Sequence, residues 1–286
     1  MITRLAWVSA REARGRDEDE TLAVPALRQA GIAVDVVVWD DPAVQWAGYD
    51  RAVLRSTWDY PQRFDQFLTW LETVDQVTDL QNPLPMVRWS LDKHYLADLE
   101  RAGVPITSTV FVEPGHSLQF PAGDFVVKPA IGAGSRDAAS YSPAQHDEAR
   151  VHVQRLQDAG ATVLIQPLLT SVAIDGEWPL VFFAGRYSHA ASKRVVLPRA
   201  GTVDDLFAEE SNAPHVADTD QIAVAQKALD VVTEQFGVPL YARVDLVRDD
   251  QGRPCVLELE LVEPSLFLPQ ASPAALEHLV AAVQAE

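Results

Sequence analysis

The chain has 286 residues, 48% of them apolar, and a formal net charge of −18 at pH 7. It is long enough to bury a sizeable core, and it shows none of the clustered cations that a nucleic-acid partner requires. An apolar run of about 18 residues, the span of a membrane helix, is absent. Met1 to Val8 lacks the basic-then-apolar layout of a signal peptide, so a cytoplasmic protein is expected. The single cysteine, Cys255, excludes a disulfide framework and a thiolate metal site, and its apolar surroundings point to core packing.

In chain order, residues 4–9, 33–39 and 51–57 read as short apolar strands. Thr21 to Ala30 and Gln62 to Val74 carry apolar residues at helical spacing, with Gly31 in a C-cap position. This alternation predicts a parallel sheet with helices on its faces. Arg11 to Glu20 is charge-dense and reads as a solvated loop. Asn82-Pro-Leu-Pro85 breaks the pattern and places a boundary near residue 88. Trp89 to Ala102 then reads as one helix, stopped by Gly103 and Pro105. Strands at 107–112, 124–129 and 162–166, with a helix over 143–159, predict a small α+β unit. Beyond residue 178 follow a strand (Pro179 to Ala184), a polar segment, a helix (Asp218 to Phe236) and two strands joined by Arg248 to Arg253.

Those last two strands carry the strongest chemical signal. Tyr241-Ala-Arg-Val-Asp-Leu-Val247 and Cys255-Val-Leu-Glu-Leu-Glu-Leu261 both alternate charged and apolar residues with period two, so one face of each is charged. A loop over 249–252 would set Arg243 opposite Glu258 and Asp245 diagonal to it, with Asp245, Glu258 and Glu260 on one surface around Arg243. Crowded carboxylates repel unless a cation lies between them, and hard oxygen donors suit Mg²⁺. The competing reading is a solvent-facing hairpin in an acidic protein. A second signal is Asp124-Phe-Val-Val-Lys128-Pro-Ala-Ile-Gly132-Ala-Gly134-Ser135. Here a lysine ends an apolar strand, and the following Gly-x-Gly-Ser turn can bring backbone N–H groups close to phosphate. The order of a Walker loop and the dinucleotide fingerprint are both absent. Third, Val163-Leu-Ile-Gln166-Pro-Leu-Leu169 stops at Pro167, leaving backbone amides beside apolar side chains, which suits either an adenine ring or a ligand-free hinge.

In this order and spacing, these segments resemble the ATP-grasp superfamily, in particular its glutathione-synthetase-like branch, over about residues 88–268. The resemblance implies an ATP-grasp fold of mixed α/β and α+β class behind an N-terminal Rossmann-like domain. The implied domains are residues 1–88, a lid-type unit over 89–168 and a metal-bearing unit over 169–286. It also implies phosphate-binding lysines at Lys93 and Lys128, with Gly132, Gly134 and Ser135 in a flexible loop over the phosphates. Gln166 and Leu169 would meet the adenine, Glu177 the ribose hydroxyls, and Asp245, Glu258 and Glu260 the magnesium, for which Mn²⁺ can substitute. The position of Glu260 is more often asparagine in the family. Leu54-Arg-Ser-Thr-Trp-Asp-Tyr60 and Glu263-Pro-Ser-Leu-Phe267 resemble a narrower group that includes the cycloserine-forming ligase, an enzyme of antibiotic biosynthesis that closes O-ureido-D-serine with ATP.

The resemblance implies γ-phosphoryl transfer to a carboxyl or carbonyl oxygen of a small amino-acid-type substrate, then attack by nitrogen, with Arg243 and the lysines neutralising charge. Lys193 and Arg194 are candidates for the γ-phosphate or an anionic substrate or else plain surface charges, and His189 for a general base or a structural histidine. Arg55, at the carboxyl end of an apolar strand, is expected to face the cleft and hold the substrate carboxylate as a fork, with Ser56, Thr57, Asp59 and Tyr60 nearby. The competing role for Arg55 is a structural pair with Asp59. An intermolecular peptide-type ligase, an inactive nucleotide-binding module and an acidic scaffold stand as alternatives, and a homodimer is common among the relatives.

Overall fold

Alternating strands and amphipathic helices build the first unit of the computed structural model, which describes residues 2–195, 197–199 and 210–285. Its elements are β1 (Arg4–Ser9), α1 (Glu20–Gln29), β2 (Ala33–Val38), β3 (Arg51–Ser56), α2 (Phe64–Asp75) and β4 (Asp79–Gln81). The strands form a parallel sheet in the order β2-β1-β3-β4. Every residue of β3 is buried, as expected of a central parallel strand covered on both faces.

The predicted single helix over 89–102 is two helices, α3 (Leu84–Ser90) and α4 (Tyr95–Arg101). Pro83 and Pro85 start α3 early, since proline suits a helix's first turn. The Asp92 carboxylate then accepts the His94 N–H at 3.0 Å in a local turn that competes with the helix. This break frees the Lys93 N–H to bond the Ala130 carbonyl at 3.0 Å. The second sheet contains β5 (Val110–Val112), β6 (Phe125–Pro129), β7 (Ala139–Tyr141) and β8 (Val163–Pro167), antiparallel in the order β5-β8-β6-β7. Helix α5 (His146–Asp158) covers it through Ala149, Val153 and Leu156.

After a short helix α6 (Thr170–Asp175) comes the third sheet, with β9 (Trp178–Phe183), β10 (Arg186–Val195), β11 (Glu210–His215), β12 (Tyr241–Arg248) and β13 (Pro254–Glu260). Its order is β11-β10-β9-β12-β13, all antiparallel. Helix α7 (Thr219–Phe236) starts at an Asp218 cap that accepts two backbone N–H groups. It packs Ala225, Ala228, Leu229 and Val232 into a core shared with β9, β12, β13 and α4. The last helix, α8 (Ala274–Gln284), returns to α1 and joins Leu5, Trp7 and Leu27 in a second core.

The hairpin register departs from the expectation in two steps. The loop is one residue longer, because Arg248 pairs with Pro254, and a bulge at Leu257 adds a second slip. Two slips of one residue preserve the face, so Arg243 opposes Glu260 and Asp245 opposes Glu258. The charged face is also not a wet one: Arg243 is 5% and Asp245 0% exposed.

Asn82, read from sequence only as part of a chain break, joins the first and third sheets. Its amide donates to the carbonyls of Tyr241 at 2.9 Å and Leu261 at 2.8 Å and accepts the Leu240 N–H at 2.7 Å, at 0% exposure. Asn82→Ala leaves these buried backbone groups without partners and is expected to lower unfolding free energy by about 3 kcal/mol. Urea denaturation checks this, and a loss below about 1 kcal/mol would mean the groups find other partners.

Candidate active site

One cavity of about 1130 Å³ lies between the second and third sheets and reaches the first unit. It collects Lys93, Lys128, Gly132, Gly134, Ser135, Gln166, Leu169, Glu177, Lys193, Arg243, Glu258 and Glu260 in its wall. Residues scattered over more than 160 positions of sequence therefore converge on one space because the two antiparallel sheets face each other across it.

On the third sheet, Arg243 holds Asp245 as a fork, with Nε to Oδ1 at 2.7 Å and Nη2 to Oδ2 at 2.9 Å, and also donates to Glu260. Lys193 from β10 bridges Asp245 Oδ2 at 3.0 Å and Glu177 Oε2 at 2.7 Å. Burial opposes the charge on Arg243, but Asp245 and Glu260 outweigh it and raise its pKa. Lys193 is raised in the same way by Asp245 and Glu177 against the cost of burial. Lys93 meets Glu258 at 3.0 Å and donates to the Gly132 carbonyl at 2.9 Å, so it ties the phosphate-type loop to the third sheet. Burial pushes Glu258 up, yet Lys93, Lys128 and Lys193 together pull it well down.

Lys128 is the exception in this network. Among the described residues it has neither an ion-pair nor a side-chain hydrogen-bond partner. Burial lowers its pKa, and the nearby Lys93 lowers it further against the pull of Glu258. The loop beside it is shaped for close backbone approach. Gly134 and Ser135 take left-handed φ values of 65° and 59°, and a Cβ on Gly132 would press on Pro129 at 3.2 Å. Among the described residues, the backbone N–H groups from Gly132 to Ser135 have no acceptor. An unneutralised lysine beside a row of unused N–H donors suits an anion with several oxygens.

At the other end, Gln166 is fixed by its amide to Thr109 at 2.9 Å, and the Leu168 N–H bonds the Asp124 carbonyl at 2.9 Å. The apolar Val126, Leu169, Val172 and Leu257 wall this part, which suits the faces of an aromatic base. For a metal, Glu258 and Glu260 present carboxylates to the cavity with side chains 23% and 27% exposed, while Asp245 lies behind them at 1%. Among the described residues no three acidic, histidine or cysteine side chains stand in metal-holding proximity. The donor type nevertheless fits a hard cation, since all three offer carboxylate oxygens and Asp245 Oδ1 keeps a lone pair beyond its Arg243 bond.

Two sequence expectations need correction. Arg55 does not face the cleft: it is 2% exposed, flanked by the rings of Trp7 and Tyr241 at 5.4 and 5.1 Å, and donates to the Pro264 carbonyl. Its carboxylate neighbour is Asp19 at 3.9 Å rather than Asp59, which instead holds Arg63 and Trp39. Arg194 caps α6 by bonding the Ala173 and Ile174 carbonyls and lies outside the cavity wall. Of the two readings of His189, the structural one fits: the ring is bonded to Ser188 Oγ at 3.0 Å and to the Leu266 carbonyl at 2.7 Å.

Arg55 instead belongs to a set of side chains that grip residues 263–268. Trp58 donates to the Glu263 carbonyl at 3.0 Å, Arg243 to Ser265 at 3.2 Å, and Asp19 accepts the N–H groups of Leu266 and Leu268 at 2.5 and 2.9 Å. Phe267 is held at a left-handed φ of 51°, with its ring 5.4 Å from the Arg243 guanidinium. Burial and then the charge of Glu260 push the Glu263 carboxyl up to about 8. The two motifs of the narrower resemblance are therefore in direct contact. Asp17 and Asp19, missed by the reading of 11–20 as a solvated loop, are buried beside them. Their signal was position, just past the carboxyl end of β1 in a parallel sheet.

Comparison with known proteins agrees with this arrangement. Residues 5–82 match the family model described as D-cycloserine synthetase DcsG, N-terminal domain. The chain is 41% identical over 265 residues to the cycloserine biosynthesis protein DcsG of Streptomyces lavendulae, covering 88% of each chain. The chain belongs to the DcsG family. It superposes on the crystal structure of D-cycloserine synthetase DcsG with a TM-score of 0.90, at 38% identity and 98% coverage of both chains. A D-alanine–D-alanine ligase from Bacillus anthracis complexed with ATP shares the fold at a TM-score of 0.67 and 16% identity, over 98% of this chain and 94% of that one. The chain is thus an ATP-grasp ligase. No described helix is long and apolar enough to cross a membrane.

Two expectations follow from the site. Lys128→Ala removes a buried cation with no described partner, so the melting temperature should hold or rise slightly while Mg·ATP affinity falls roughly 10- to 100-fold. Calorimetric titration with thermal melts checks both, and a large drop in stability with unchanged affinity would make Lys128 structural. Glu263, with a folded pKa of about 8 against an ordinary 4.5, favours its protonated form on folding. Its contribution to stability is therefore lost as pH rises from the ordinary value through about 8. Glu263→Gln should gain melting temperature relative to the parent as pH increases over that window, and a constant difference would contradict the shift.

Proposed function

We propose that this DcsG-family ligase phosphorylates the carboxyl group of a small amino-acid-type substrate with Mg·ATP for attack by nitrogen within the same molecule, closing O-ureido-D-serine to D-cycloserine with loss of phosphate and hydrolytic release of the ureido carbamoyl group as carbon dioxide and ammonia. The observation that carries the reading is Lys128, left without a counter-ion among the described residues beside unused loop N–H groups, while Lys93, Lys193 and Arg243 in the same cavity wall are each paired with a carboxylate. Lys128 and the loop from Gly132 to Ser135 bind the phosphates, and Lys93 moves between its carboxylate and phosphate partners. Gln166 and Leu169 frame the adenine, and Glu177 receives the ribose. Asp245, Glu258 and Glu260 are the oxygen donors that would hold Mg²⁺, or Mn²⁺ in its place. The metal, when bound, supplies charge neutralisation at the phosphates.

Arg243 and Lys193 are set at the junction of metal donors and substrate compartment. Their buried charges are held in place before reaction by Asp245, so little reorganisation is needed as negative charge builds on the transferred group. The enclosing walls exclude water from the activated carboxyl and favour attack by the tethered nitrogen, whose effective concentration is high. A cytoplasmic, homodimeric enzyme completes the proposal.

O-ureido-D-serine should stimulate ADP release in a Mg²⁺-dependent assay and yield a cyclic product by mass spectrometry. Glu258→Gln should lower kcat by at least about 100-fold while leaving the fold intact. ADP release that requires two separate amino acids would establish an intermolecular ligase instead, and parent-like turnover in Glu258→Gln would remove the metal assignment.

A further inference from the structure

Beyond Arg243 the cavity continues toward the first unit and ends against the segment between β1 and α1. There Asp17 lines the wall at 6% exposure, in the company of Asp19, Trp58, Tyr60 and Phe267. Its Oδ1 accepts the Asp19 N–H at 3.1 Å, while its Oδ2 is buried and has no hydrogen-bond partner among the described residues. Asp19 offers no relief, since its carboxylate is committed to the Leu266 and Leu268 N–H groups and faces Arg55. Arg55 in turn is committed to the Pro264 carbonyl.

A buried carboxylate oxygen without a donor is costly, and a stable fold retains one where something other than the fold supplies the missing charge. We propose that Asp17 receives the ammonium group of the amino-acid substrate, an inference that rests on the ligase reading above. The surroundings select a cation. Burial, and then the charge of Asp17 itself, push the Asp19 carboxyl up to about 6, so negative charge is in local excess here. Aromatic walls from Trp58, Tyr60 and Phe267 suit the carbon skeleton next to such a group. The same excess repels a carboxylate, so a substrate carrying both charges is oriented with its ammonium at Asp17 and its carboxyl toward Arg243 and the phosphates. Asp17 thus takes a substrate-reading role in place of Arg55, which sequence expected to hold the opposite charge.

The test compares the parent and Asp17→Asn, which keeps the Oδ1 acceptor and removes the charge. With O-ureido-D-serine, kcat/KM for ADP release should fall roughly 10- to 100-fold in the variant, with Mg·ATP affinity unchanged. The parent should discriminate against the N-acetylated substrate, and the variant should lose most of that discrimination. Without substrate, the variant should melt higher than the parent, because an uncompensated buried charge is gone; a merely structural aspartate would move the melting temperature down. Unchanged kcat/KM and unchanged discrimination in Asp17→Asn, or a variant that loses both stability and ATP affinity, would overturn the ammonium assignment and leave the ligase reading intact. A parent enzyme that releases no ADP with O-ureido-D-serine or any small amino-acid derivative would instead overturn the ligase reading, and this assignment with it.

Discussion

The buried guanidinium of Arg55 is the piece on which the cavity wall formed by residues 263–268 depends. It sits at 2% exposure between two aromatic rings, near the Asp19 carboxylate, with its donor on the Pro264 carbonyl. A buried charge of this kind is tolerable only when its partners are fixed, and removing one partner of such a pair costs several kcal/mol, about 3–5. Its partners lie on both sides of the junction between the first and third sheets, so Arg55 and Asp19 hold residues 264–268 in one conformation. The left-handed Phe267 shows how far that loop is from what its sequence would choose alone. Because the loop lines the cavity, the first unit does more than close it: it sets the shape of a wall formed by the far end of the chain.

A second constraint is charge. The protein is strongly acidic overall, yet Lys93, Lys128, Lys193 and Arg243 are gathered at one cavity, against Glu177, Asp245, Glu258 and Glu260. Pairing keeps most of these buried charges tolerable, and it also makes them interdependent. Drawing Lys93 onto a phosphate strips Glu258 of its cation, and placing a divalent ion at Glu258 does the same to Lys93. Each event alone leaves an uncompensated buried charge, whereas together they exchange one set of partners for another. A metal–nucleotide complex matches this network better than either component, and Lys128, already without a described partner, is where the exchange requires no bond to break.

Much of this was legible in the sequence, and the failures have physical causes. The period-two alternation around Arg243, Asp245, Glu258 and Glu260 located the charged face correctly, since side-chain parity survives any even slip. The exact pairing did not follow, because neither the extra loop residue nor the bulge at Leu257 carries a composition signal. The rule that ligands gather at strand ends led to Arg55, but a strand-end side chain can turn inward when aromatic rings and carbonyls receive it, and that depends on Trp7, Tyr241 and Pro264, far apart in sequence. The charge density of 11–20 argued for solvent, yet Asp17 and Asp19 are buried. The polar strand β10 was hidden because a cavity-facing strand looks like a loop, and α8 was passed over although Leu276, Leu279, Val280 and Val283 recur at helical spacing.

The two halves of the cavity therefore differ in how they are specified. The half proposed to hold the nucleotide uses generic devices: a lysine, a glycine turn, a strand ending at proline and a carboxylate face, each interpretable within its own segment. A fold neighbour only 16% identical superposes over 98% of this chain, as expected when the framework of sheets is set by patterning rather than by particular side chains. The half proposed to hold the substrate is built from contacts between segments some two hundred positions apart, Asp17 to Tyr60 on one side and Glu263 to Phe267 on the other. Neither segment is informative alone, since each buries polar groups that only the other satisfies. Their mutual satisfaction leaves Thr57 Oγ1 and Asp17 Oδ2 as buried oxygens near this interface without a described hydrogen-bond partner, and Asp17 Oδ2 is the one that carries charge, so the proposed recognition of a substrate cation falls there rather than among the paired charges at the other end of the cavity.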